Sequence, residues 1–192
     1  MNTNNIFHKN LPNILTVSRI LSVPVIVYFF LSTEPFYKVV SFFLILFFSV
    51  TDFVDGYYAR TYNLVTGLGK YLDPLADKIF VLSIFFCLHF YFNDFLPKWM
   101  ISIIIIRDIL VTVLRNIYFK NNIVLKTSQL GKRKTLLQIL SIHLMLIIII
   151  IKEYNIFSID FILVYYLMLV CSMLTLWSGL VYYYHYFKIK NE

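Results

Sequence analysis

Six stretches of this chain are apolar for long enough to cross a lipid bilayer: residues 14–32, 36–58, 72–92, 97–119, 135–152 and 157–187. Inside hydrocarbon a backbone must satisfy its own N–H and C=O groups, which leaves helices or a closed barrel. These runs are continuous rather than alternating, so they read as helices. The expected fold class is an all-α integral membrane protein with six transmembrane helices. Composition agrees, since 60% hydrophobic and 14% charged residues are too apolar for a soluble domain of 192 residues. The third run is weakened by Asp73 and Asp77. The first carries Arg19 and Pro24 and lacks a small-x-small cleavage site, so it reads as a retained helix rather than a signal peptide. There is no internal repeat and no soluble-sized insertion, so residues 1–192 read as a single membrane domain.

Basic residues set the expected orientation. Lys9, Arg60, Lys70, Lys120, Lys126, Lys132, Arg133, Lys134, Lys188 and Lys190 cluster at the N-terminus, the second and fourth connections and the C-terminus; Lys38, Lys98 and Lys152 fall at the others. The basic excess belongs to the cytoplasmic side, so both termini are expected there, in an inner or plasma membrane. The net charge of +7 lies in short membrane-flanking loops rather than on a soluble groove, which favours anionic lipids and anionic substrates as partners and not nucleic acid. Cys87 and Cys171 sit in separate apolar runs without metal-ligand spacing and read as packing residues.

Against this background stand four aspartates: Asp52-x2-Asp55-Gly56-x2-Ala59-Arg60-x8-Gly69-x3-Asp73-x3-Asp77. Carboxylates in apolar helices are costly and mark function. Asp52 and Asp55 (i,i+3) share one helix face and Asp73 and Asp77 (i,i+4) share another, so antiparallel helices joined through Gly67-Leu68-Gly69 would aim all four at one point. Converging anions require a cation, and an all-oxygen shell selects a hard divalent ion such as Mg2+. With Arg60 at the helix end, Asp52 lies roughly 12 Å deeper, in a pocket open to the cytosol. Gly56 and Ala59 leave the helix face bare for a nucleotide or phosphate, and Arg60 supplies a forked charge for phosphate oxygens. Ion pairing, as of Asp77 with Lys78 or Asp52 with Arg60, explains any one aspartate but not four in register. A cation or proton transporter would explain the charges but leaves Gly56 and Ala59 without a role.

The segment from Thr51 to Asp77 resembles the signature of the CDP-alcohol phosphatidyltransferases, with every fixed position present. The resemblance implies attack by an alcohol on the β-phosphorus of a CDP-linked lipid, with release of CMP. It implies that Asp52, Asp55 and Asp73 hold one or two Mg2+ or Mn2+ ions, that Asp77 stands near the metals as general base, and that Gly56, Arg60 and Thr66 face the nucleotide. It further implies a homodimer. Asn13 and Thr16, i,i+3 at the start of the first helix, are candidates for nucleotide contact; Asn13 reads equally as an N-cap beside Pro12. Arg19 either snorkels or meets a phosphate.

A second basic group points to the acceptor. Arg107 and Arg115 lie in the fourth run, about 80° apart around a helix, and Lys132-Arg133-Lys134 follow in the next connection. Arg107, Arg115 and Lys132 are the candidates for a second phosphate, one carried by the acceptor; Arg133 reads as a membrane anchor. Asn10 to Arg19, Arg107, and Gly131 to Thr135 with Gln138 also resemble the branch of the family that makes phosphatidylglycerophosphate, except that Asp108 stands where that branch has Glu. The expected reaction is transfer of phosphatidyl from CDP-diacylglycerol to sn-glycerol 3-phosphate. The alternatives are another acceptor, such as phosphatidylglycerol, inositol phosphate or serine, and the transporter. His8, His89, His143 and His185 have no ligand spacing, and His143 reads as a hydrogen-bonded packing residue.

Overall fold

The computed structural model describes residues 3–61, 69–120 and 129–191, with all their side chains except those at 3–13, 55–61, 69–71, 116, 118–120, 132 and 185–191. Six α-helices follow one another: α1 (Thr3–Leu31), α2 (Pro35–Thr61), α3 (Gly69–Phe92), α4 (Lys98–Lys120), α5 (Gln129–Glu153) and α6 (Ile162–Asn191). A 3₁₀ turn at Asn93–Phe95 separates α3 from α4, and no strand occurs among the described residues.

Among the described residues, five helices are long and apolar enough to cross a membrane, over Ile14–Leu31, Pro35–Val54, Leu72–Phe95, Gln129–Glu153 and Ile162–Tyr184. The sixth, α4, has 23 residues but carries Arg107, Asp108 and Arg115 across its inner turns, which lowers its apolar character. One expected boundary is corrected. Because α1 begins at Thr3, Asn13 lies inside the helix and is not its N-cap. The apolar run marks only the part able to lie in lipid; once a helix is nucleated, each further residue adds a hydrogen bond, so the helix extends into the polar sequence before it.

The helix ends have identifiable chemistry. Lys38, buried near the start of α2, donates to the Phe30 carbonyl at the end of α1 and lies 5.0 Å from the Phe30 ring centre. It satisfies one of the carbonyls a helix end leaves open and places a cation at the negative end of the dipole. Tyr37 stacks on Phe29 at 5.3 Å beside it, and Pro35 starts α2 where a missing N–H costs nothing. At the end of α5, Asn155 adopts φ 52° while Ile156 N–H bonds to Ile151 C=O and Asn155 N–H to Lys152 C=O. This is a Schellman cap, with Asn in the left-handed position more often held by glycine. Asp160 then accepts from Ile162 N–H at 2.9 Å to open α6.

The chain divides into two compact units, Met1–Cys87 with Leu146–Ser158, and Leu88–Met145 with Ile159–Glu192. In the first, α1 packs against α2, and Ile26, Phe30, Ile45, Phe80, Ile84 and Phe85 are buried. Phe48 on α2 meets Phe80 on α3 edge to face at 6.3 Å. In the second, α4 packs against α6, and Met100, Ile104, Ile142, Met145, Val164 and Met168 are buried. Large apolar side chains such as Leu21, Phe43, Phe47, Phe90, Ile106 and Trp177 are exposed, as expected where the solvent is lipid. Cys87 and Cys171 are buried and unbridged.

Candidate active site

In the first unit, α1 and α3 meet through two polar pairs in register. Thr16 Oγ1 donates to Asp73 Oδ1 at 2.6 Å, and Arg19 Nη1 lies 2.9 Å from Asp77 Oδ1. The spacing explains the match: Thr16 and Arg19 are i,i+3 on one face of α1, and Asp73 and Asp77 are i,i+4 on one face of α3. Both pairs advance in the same chain direction, as parallel first and third helices require. Asp52 reaches the same place from α2, its Oδ1 2.5 Å from Arg19 Nη1. The two carboxylates from different helices therefore converge on a single nitrogen.

This arrangement corrects the reading of Arg19. Its side chain is only 2% exposed, so it does not snorkel, and it pairs with Asp52 and Asp77. Ion pairing within the cluster thus runs across helices, from Arg19 on α1 to Asp52 on α2 and Asp77 on α3. Sequence reasoning missed this partner because a charge near a helix end is usually explained by the interface. Its i,i+3 relation to Thr16 was the available signal. Thr16 is itself buried, and its hydroxyl is bonded to Asp73.

Asp55, Gly56, Ala59 and Arg60 have their backbone in α2, one to two turns beyond Asp52, but their side chains lie outside the described residues. The same holds for Asn13 in α1 and Lys132 in α5, while Thr66 lies outside the described residues altogether. Among the described residues no three acidic, His or Cys side chains form a ready metal-binding group. The convergence of Asp52 and Asp77, with Asp73 one turn away, nevertheless gives a donor set of carboxylate oxygens gathered at a point that attracts positive charge. That chemistry fits a hard divalent ion.

The second unit contains its own polar cluster. Arg107 Nη1 lies 3.0 Å from Asp108 Oδ1, and Lys134 Nζ on α5 also bonds to Asp108 Oδ1. The three side chains are 11%, 15% and 5% exposed respectively. On the α6 side, the Arg107 guanidinium carbon stands 5.7 Å from the Tyr182 ring centre, and the Tyr182 hydroxyl accepts from Arg115 Nη2 at 3.5 Å. Gly179 receives the stem of Arg107, since a Cβ there would stand 2.8 Å from Arg107 Cγ.

Two of the three expected phosphate ligands, Arg107 and Arg115, thus gather at Tyr182, with Arg107 largely covered and Arg115 exposed. The side chain of Lys132, the third expected ligand, lies outside the described residues, and Lys134, which the sequence reading did not single out, joins Arg107 on Asp108. The overlooked signal was the spacing Lys134, Gln138, Ser141, Met145, which is one helix face, and all four are buried. Arg133 is exposed, as its reading as an anchor requires. His143 Nδ1 bonds to Ile139 O at 2.7 Å, as a packing residue would.

The family model described as CDP-alcohol phosphatidyltransferase matches residues 9–182. A Bacillus subtilis (strain 168) protein is 37% identical over 150 residues, covering 72% of this chain and 77% of its own length. A Rickettsia bellii relative is 38% identical over 140 residues (72% and 76%), and one from Aquifex aeolicus is 35% identical over 133 residues (69% and 73%). All three are named CDP-diacylglycerol–glycerol-3-phosphate 3-phosphatidyltransferase.

Proposed function

This chain belongs to the CDP-alcohol phosphatidyltransferase family, and from that premise we propose that it transfers phosphatidyl from CDP-diacylglycerol to sn-glycerol 3-phosphate, yielding phosphatidylglycerophosphate and CMP. The observation that carries the reading is the meeting of Asp52 and Asp77, from two helices, at one cationic point beside Asp73. Relatives covering most of this chain bear the name of that reaction.

Asp52, Asp55 and Asp73 would hold Mg2+ or Mn2+, which supplies charge neutralisation for the pyrophosphate and the departing CMP. Asp77 takes the proton from the acceptor hydroxyl. The alkoxide oxygen bonds to the β-phosphorus as the bond from that phosphorus to the CMP oxygen breaks, and CMP leaves with the electron pair. Thr16 fixes one Asp73 oxygen by its 2.6 Å hydrogen bond, and Arg19 fixes the direction of Asp52 and Asp77. Asn13, Gly56, Ala59, Arg60 and Thr66 form the nucleotide side, where the small residues admit close approach and Arg60 offers a fork to phosphate. Arg107, Arg115 and the α5 lysines bind the acceptor's phosphate. The dianion explains why so much buried basic charge is present; a neutral acceptor such as serine would leave it unanswered.

In this reading all six helices cross the membrane with both termini in the cytoplasm, as the distribution of basic residues supports, so that the aspartates face the cytosolic side, where both polar reactants are found, while the diacyl tails enter sideways from the bilayer. The active form is a homodimer. Purified protein given CDP-diacylglycerol, Mg2+ and an equimolar mixture of glycerol 3-phosphate, serine, inositol phosphate and phosphatidylglycerol should form phosphatidylglycerophosphate and stoichiometric CMP. Any other lipid as the main product would refute the acceptor, and no CMP release would refute the reaction class.

A further inference from the structure

Adjacent residues on a helix point about 100° apart and do not ordinarily face each other, yet Arg107 turns back to Asp108 at 3.0 Å. Lys134 reaches the same carboxylate oxygen from α5. Two cations, the buried Lys134 and the largely covered Arg107, share one largely covered anion, so the cluster keeps an excess positive charge in a medium where an unanswered charge is expensive. Arg107 Nε and Nη2 are buried and have no hydrogen-bond partner among the described residues. Gly179 and Tyr182 fix the stem and the plane of the guanidinium from the α6 side. The cluster is built to receive an anion, and Asp108 is the group that holds its two cations together.

We propose that Asp108 is a positioning residue for the acceptor phosphate, holding the Arg107 guanidinium and the Lys134 ammonium on one carboxylate oxygen so that they meet the phosphate together. This rests on the reading of the acceptor as a phosphate-bearing alcohol. Lys134 is the α5 cation of that pocket. Asp108 touches no substrate; it sets the distance between the groups that do, and its short side chain brings them closer to the helix α4 backbone than a glutamate would.

The test uses the full chain in detergent micelles. The parent is assayed first, and should saturate with glycerol 3-phosphate; no turnover with that acceptor would refute the proposed function itself. In an active parent, Asp108→Asn should raise the KM for glycerol 3-phosphate by at least about tenfold, the scale of a charge-assisted hydrogen bond, and leave the KM for CDP-diacylglycerol within about twofold. The same variant should lose the rise in melting temperature that inorganic phosphate gives the parent. Asp108→Glu, which keeps the charge, should restore phosphate protection and most of the lost affinity, and it carries the test alone if the Asn variant does not fold. Asp108→Asn combined with Lys134→Gln should be no worse for glycerol 3-phosphate than Lys134→Gln, because the two act through one pocket. Unchanged KM for glycerol 3-phosphate in the Asn variant, equal losses for both substrates, or a Glu variant without phosphate protection would each overturn the role of Asp108 and leave the reaction standing.

Discussion

Gly179→Ala should damage the reaction through Arg107 alone. The added Cβ would stand 2.8 Å from Arg107 Cγ, whereas carbon atoms settle at about 3.5–4.0 Å. The arginine stem must therefore withdraw by roughly 0.7–1.2 Å. It cannot do so freely, because the contact is near the root of the side chain and the far end is held by Asp108 and the face of Tyr182. Overpacking of this kind costs about 1–3 kcal/mol, and a displacement near 1 Å at a substrate-positioning group costs up to about a hundredfold in rate. The expected loss in kcat/KM for glycerol 3-phosphate is therefore about 10- to 100-fold, or roughly 1.4–2.7 kcal/mol. The KM for CDP-diacylglycerol should stay within about twofold. The assay is CMP release with each substrate varied in turn, with Leu180→Ala as the control because Leu180 is 54% exposed and adjacent. If Gly179→Ala binds glycerol 3-phosphate as the parent does, the guanidinium is not positioned by α6, and the argument from close approach is wrong.

Asp77→Asn keeps the shape of the base but cannot accept the alcohol proton, so turnover should be nearly abolished while CDP-diacylglycerol still binds; turnover near the parental rate would reassign the base. Arg19→Gln leaves Asp52 and Asp77 facing each other, and two charge-assisted bonds, discounted because the carboxylates are 37% and 47% exposed, are worth about 2–3 kcal/mol in all. That should lower the melting temperature by roughly 4–12 °C, and no shift would show the pairs to be energetically idle. Arg107→Gln should raise the KM for glycerol 3-phosphate by more than about tenfold and Arg115→Gln by less, since Arg115 is exposed and its bond to Tyr182 is long at 3.5 Å; the reverse order in titrations of acceptor would place the phosphate elsewhere. Arg60→Gln should act on the other substrate, raising the KM for CDP-diacylglycerol only, and a loss confined to glycerol 3-phosphate would undo the division of the two pockets.

What could be read from the linear chain was whatever a single helix determines. The apolar runs located six helices, and the i,i+3 and i,i+4 spacings put Asp52, Asp73 and Asp77 on defined faces before any packing was known. Arg107 stood out because a charge amid isoleucines needs a reason. The contributions that escaped were those that depend on how two helices cross. Arg19 reads from sequence as either an interfacial or a phosphate-meeting residue, and its pairing with Asp52 and Asp77 shows only once α1 is laid beside α2 and α3. Lys134 is one of three consecutive basic residues, and successive positions turn by about 100°, so only the docked face of α5 selects among them. Gly179 carries no chemistry at all, and its part is visible only as the hollow that Arg107 fills.

The hydroxyls on α6 bear on how this chain is made. Ser172 donates to Leu169 C=O, Thr175 to Cys171 C=O and Ser178 to Thr175 C=O, so each of these three buried hydroxyls gives its proton to its own helix. A helix that carried these groups with their protons unclaimed would enter hydrocarbon at several kcal/mol per group, and would have to wait for a neighbour before leaving the insertion machinery. Here the donors are answered before any neighbour arrives, and only oxygen lone pairs remain to be offered, such as the one on Thr175 that takes the Gln138 amide at 3.4 Å. Helix α6, synthesised after α4 and α5, can thus partition into lipid on its own and pack against them afterwards by lateral diffusion.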